Sequence, residues 1–138
     1  MTKTITIVSV GLLMSLCAPL PASAGDFDGK KTMLCAPGDA RECTADGKCT
    51  HVSVDSINIA RFITVDAKKK TLSGVNADGE TRTTKVKNVE MGGGKTVLQG
   101  SENNRSWGIV IDAETGRMSA TVIDDQVGFV IFGACTIP

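Results

Sequence analysis

The sequence predicts an all-β fold, an antiparallel meander of about seven to nine short strands that closes as a barrel or packs as a two-sheet sandwich. Three observations carry this. Turn-forming clusters recur at intervals of about ten residues from residue 61 onward. The runs between them alternate apolar and polar side chains, most clearly at 105–112 and 117–123. Past the N-terminal leader, no segment carries apolar residues at the 3.6-residue period of a helix.

Residues 1–24 read as a cleaved signal peptide. Lys3 gives the positive start, residues 5–20 the apolar stretch, and Ala22-Ser23-Ala24 the small-x-small cleavage site, so the mature chain would begin at Gly25. The leader takes Lys3 and no acid with it, so 14 basic side chains remain against 15 acidic ones. A net charge near −1 lacks the basic excess of a nucleic-acid or anionic-membrane surface. No later apolar run approaches the roughly 18 residues of a membrane span. Cys17 could be the lipidated residue of a lipoprotein, but Leu16 stands where such sites want a small residue, so Cys17 is read as discarded with the leader. The remaining 25–138 suffice for a single domain.

Residues 25–60 read as irregular and cysteine-rich, with two strands at 31–36 and 49–54. Seven strands follow at 61–66, 71–75, 80–88, 96–101, 105–112, 117–123 and 127–133. The turns between them hold Gly, Asn or Asp, which tolerate positive φ or bond their own backbone. Links this short allow only antiparallel neighbours. Trp107, Ile109 and Ile111 share one face, as do Met118, Ala120 and Val122. In 127–133 both faces are apolar, which predicts a strand covered on both sides by the N-terminal segment. Residues 80–88 hold one apolar residue, Val86, and read as an edge strand on which Lys85 and Lys87 discourage further pairing.

Val65-Asp66-Ala67 with Leu72-Ser73 recurs at an offset of 46 as Ile111-Asp112-Ala113 with Met118-Ser119. The simple reading is two hairpins with one turn chemistry; the alternative is a duplicated four-strand unit.

In an exported chain, Cys35, Cys43, Cys49 and Cys135 are disulfide candidates. Four cysteines allow three pairings. Geometry prefers a local Cys43–Cys49 link across Asp46-Gly47, which leaves Cys35 in the first strand for Cys135 after the last. That second link would tie the ends of a barrel-like, lipocalin-like meander together. A metal site of Cys35, Cys43, Cys49 and His51 lacks the close Cys-x2-Cys pair of structural zinc. The reading is therefore no metal and no cofactor.

Catalytic signatures are weak. His51 is the sole histidine, and Asp55 with a serine would complete a triad, but no nucleophile elbow is present. Asp66 and Asp112 could form a carboxylate pair; at strand ends, they more simply accept bonds from turn amides. Asp112-Ala113-Glu114-Thr115-Gly116 matches a turn of quinoprotein propellers, in a chain too short for that fold. Lys68-Lys69-Lys70 reads as a solvated turn, and Gly92-Gly93-Gly94 lacks the Gly-Lys-Ser/Thr ending of a phosphate loop. Trp107, the only Trp or Tyr, either fills the core or lines a ligand cavity.

Leu34-Cys35-Ala36, the 43–49 loop, Trp107–Asp112 with Thr115–Met118, and Phe132-Gly133-Ala134-Cys135-Thr136 resemble a group of small exported proteobacterial proteins. The resemblance implies location and a disulfided β fold, and no site residues. The sequence thus leads to a periplasmic or secreted bacterial protein, non-enzymatic, that binds a small apolar or amphipathic ligand near Trp107. The alternative is a protein-binding inhibitor of an envelope or foreign hydrolase, with the 43–49 loop as its plug.

Overall fold

The computed structural model describes residues 26–138; the leader, its cleavage site and Cys17 lie outside the described residues. Ten strands form one antiparallel sheet, with no helix among the described residues. They are β1 (Met33–Thr44), β2 (Cys49–Val52), β3 (Ile63–Asp66), β4 (Thr71–Val75), β5 (Thr81–Lys85), β6 (Asn88–Gly92), β7 (Lys95–Glu102), β8 (Arg105–Asp112), β9 (Arg117–Ile123) and β10 (Val127–Thr136). The single curled sheet decides between the two expected architectures in favour of the barrel-like one.

The order across the sheet is β5-β4-β3-β1-β10-β9-β8-β7-β6. β2 and β3 share one edge of β1, β2 against Ala40–Cys43 and β3 against Met33–Cys35. On its other edge β1 pairs with β10 from Leu34↔Thr136 to Thr44↔Val127, so the first and last strands are neighbours, as the cysteine argument required.

The sheet ends, β5 and β6, are consecutive in sequence and separated by only Val86 and Lys87. Val86 N–H still donates to Lys70 O, at 2.9 Å, whereas Lys87 N–H donates to Gln99 O, at 2.8 Å. Between these two residues the chain leaves one sheet end and joins the other. The half-barrel is drawn together there and parts between β5 and the far end of β7, where side chains alone bridge: Thr84 Oγ1 donates to the Glu102 carboxylate at 2.7 Å.

Two of the expected elements are corrected. Residues 33–44 form the longest strand rather than an irregular segment. At Pro37-Gly38-Asp39 the strand carries a bulge, which lets both Pro37 and Ala40 face inward. The expected strand at 80–88 ends at Lys85 as β5, and a further strand, β6, starts at Asn88 and pairs at the opposite sheet end. The predicted outer cover of the last strand is also absent: Phe132 is 49% exposed. Phe27 instead packs at the end of the half-barrel where β1 begins. Its N–H donates to Ala113 O at 3.1 Å, and its carbonyl accepts from Thr96 Oγ1 at 2.9 Å.

The interior holds two apolar clusters. The larger contains Met33, Cys35, Val65, Leu72, Leu98, Trp107, Ile111 and Met118. The smaller forms where the 53–62 connection folds Ile57 and Ile59 against Ala40, Phe129 and Ile131. Ala120 and Val122 touch both.

Candidate functional site

Between the two clusters lies a cavity of about 290 Å³. Trp107, Ile109 and Met118 line it from the larger cluster, Phe129 and Ile131 from the smaller, and Ile59 from the 53–62 connection. All the strand residues among these occupy inward positions set by register: Trp107 stands opposite Val122 and Gly100, and Ile109 opposite Ala120 and Leu98.

Gly100 makes the Trp107 position possible. A Cβ there would lie 2.6 Å from the indole Cε2, so the ring occupies space that any other residue would claim. Trp107 is only 9% exposed, and its Nε1–H is a buried donor with no partner among the described residues. Such donors are nearly always satisfied in folded proteins, because leaving one unpaired costs roughly 1–3 kcal/mol. Trp107 thus both fills the core and walls the cavity.

The cavity opens towards the gap between β5 and the β7–β8 hairpin, where its lining turns polar: Arg82, Thr84, Glu102, Asn103 and Arg105. Arg82 and Thr84 are inward register positions, opposite Gly74 and Leu72. Arg41, Arg61 and Arg105 each pair with an aspartate. Arg82 is exposed and, like Arg117, has no such pair among the described residues. β5 is the edge strand expected of 80–88, and that expectation does not say that Arg82 faces the interior. Stepping back by twos from Val86, which is buried, would have put Thr84 and Arg82 on the same inner face. A second, outward-facing groove, lined by Leu34, Phe62, Thr64 and Val75, is flanked by the Asp55–Arg61 ion pair.

The other candidate residues are placed elsewhere. His51 is exposed on β2, its Nε2 3.2 Å from an Asp39 carboxylate oxygen. Asp55 is engaged by Arg61 instead, which holds its carboxyl below the usual range. The triad partners considered for His51 are thus not brought together.

Asp66 and Asp112 end their strands as turn acceptors. Asp66 accepts from Lys69 N–H at 2.9 Å. Asp112 accepts from the amides of Glu114 and Thr115 and from the Thr115 hydroxyl, and pairs with Lys95. The Lys95 ammonium, then the Thr115 amide and hydroxyl, hold the Asp112 carboxyl far below its ordinary value. The two hairpins of the internal echo therefore share one turn chemistry. Val65↔Leu72 and Ile111↔Met118 are even the matching register pairs.

Both preferred disulfides are present. Cys35–Cys135 links the facing positions of β1 and β10, and Cys43–Cys49 those of β1 and β2. Beyond the second link, the hairpin from Thr44 to His51 is exposed throughout. Among the described residues there is no cluster of three or more metal-ligating side chains. No helix among them is long and apolar enough to cross a membrane. Two intramolecular disulfides suit an oxidising, exported compartment.

No protein-family model matches the chain, and no curated protein and no solved structure matches it either.

Proposed function

We propose that the mature protein is a non-enzymatic binding module of the bacterial periplasm or extracellular space, holding a small apolar or amphipathic molecule beside Trp107. The observation that carries this is the cavity of about 290 Å³ between two otherwise well-buried clusters. Protein interiors are close-packed, and unfilled space forfeits dispersion contacts. A sheet serving stability alone would have filled this one with larger side chains. Its volume falls at the small end of ligand sites, and its make-up is the usual one, an apolar wall with few polar groups at one side.

Trp107 is the only tryptophan, so its fluorescence reports on the cavity without labelling. Titration with decanol, a neutral amphiphile, is expected to shift the emission saturably. Ala120→Phe, which fills the cavity from β9, should abolish the shift while leaving a folded protein. No response to decanol or to shorter and longer alcohols overturns the proposal.

A second reading, inhibition of an envelope or foreign hydrolase, is supported by the exposed, disulfide-closed hairpin at 43–49. A constrained loop can enter an active site with little ordering cost. Replacing Ala45, Asp46 and Lys48 together by serine should abolish hydrolase inhibition if this reading holds, and should leave decanol binding unchanged.

A further inference from the structure

We infer that the occupant of the cavity carries an anionic head group, of the carboxylate class, seated on Arg82 at the mouth with its apolar body against Trp107; this rests on the binding reading above. Arg82 contributes a guanidinium with five N–H donors and no acceptor. It stands at an inward register position of β5, lines the cavity, and is unpaired among the described residues. Arg105 lines the same mouth, with its Nε bonded to Asp124 at 3.1 Å. The one carboxylate among the lining residues, Glu102, accepts the Thr84 hydroxyl at 2.7 Å and keeps its charge, so the lining sets two guanidinium groups against one carboxylate. Deeper in, Trp107 Nε1–H is a further donor without an acceptor.

The site therefore offers an excess of donors and positive charge to whatever enters. The amides of Asn58, Asn76 and Asn103 offer donor and acceptor alike and do not change the balance. A cationic head group would find only Glu102 to pair with and would lie beside the unpaired Arg82 guanidinium. A neutral one would leave Arg82 without a counter-charge. A carboxylate matches the planar fork of Arg82 in geometry as well as in sign.

Placement supports the same assignment. Arg82 lies where the sheet parts between β5 and β7, so a head group bound there keeps contact with water while its chain enters the space between the clusters.

The test compares three probes with one chain and different heads: decanoate, decanol and decyltrimethylammonium, each titrated against Trp107 fluorescence. Decanoate is expected to bind about tenfold tighter than decanol, the scale of one partly solvated charge-assisted hydrogen-bond pair, and decyltrimethylammonium more weakly than either. The advantage should shrink as salt rises. Arg82→Gln should bring decanoate down to about the affinity of decanol, whereas Arg82→Lys should retain most of the preference. Arg82 is exposed on an edge strand, so both variants should unfold at the wild-type temperature. Equal binding of all three probes, or an Arg82→Gln variant that still prefers decanoate, overturns the head-group assignment and leaves the cavity reading intact. No binding of any probe overturns the cavity reading, and this inference with it.

Discussion

Removing the Cys35–Cys135 link should cost this protein far more than removing Cys43–Cys49, although both join facing residues on neighbouring strands. The two differ in the chain they close, with sequence separations of 100 and 6. In the chain-entropy treatment the first restricts the unfolded state by about 4.7 kcal/mol and the second by about 2.2 kcal/mol. Cys35 is fully buried, so its replacement by alanine adds a small void worth about 1 kcal/mol in the same direction. A domain of this size has an unfolding entropy of about 0.23 kcal/mol/K, so the expected losses in Tm are roughly 25 °C and 10 °C. The assay is thermal and urea unfolding of Cys35→Ala/Cys135→Ala and Cys43→Ala/Cys49→Ala, without reductant. The β1–β10 ladder should keep the native fold in both variants at low temperature. Equal losses, or a larger loss from the short link, would refute the account of the long disulfide as the closure of the half-barrel.

Other outcomes follow from single positions. Gly100→Ala should displace the Trp107 indole, destabilise the protein by about 1–3 kcal/mol and red-shift its emission, since the new Cβ claims the ring's space. The turn aspartates make stability fall in acid. Asp66, Asp112 and Asp124 are held below the ordinary carboxylate value by turn amides and neighbouring cations. Their contribution is therefore fully present above about pH 4 and is lost as pH falls through their lower native values. Urea midpoints measured from pH 6 down to pH 2 should stay level and then decline, and Asp112→Asn should make the decline shallower. A midpoint that rises as pH falls below 4 would contradict these pairings.

The parts of the fold legible in sequence were those governed by local rules. The hairpins from 61 onward were readable because their turns carry Asp, Asn or Gly at the positions the backbone needs. Asp66 and Asp112 do what turn chemistry requires of them. The disulfide pairing was readable because a meander with adjacent first and last strands leaves little else for Cys35 and Cys135. What was not legible depends on contacts distant in sequence. β1 hides behind Pro37-Gly38-Asp39, and only its pairing with β10 shows that segment to be a bulge rather than a turn. The break at Val86–Lys87 has no turn residue, because the chain does not reverse there; it changes partners. Trp107 was identified from its type alone. Arg82 and the inward Ile57 and Ile59 were missed, since nothing near them in sequence says that the half-barrel leaves space inside.

The most direct test of the central claim is native mass spectrometry of the mature protein purified from its own cell envelope without reductant. The account predicts a chain beginning at Gly25, four hydrogens lighter than its reduced form, carrying a small extra mass that leaves on denaturation and is absent from the Ala120→Phe variant. A bare protein in both cases, with the wild type still refusing decanoate and decanol, would contradict the claim that the space beside Trp107 is a binding site.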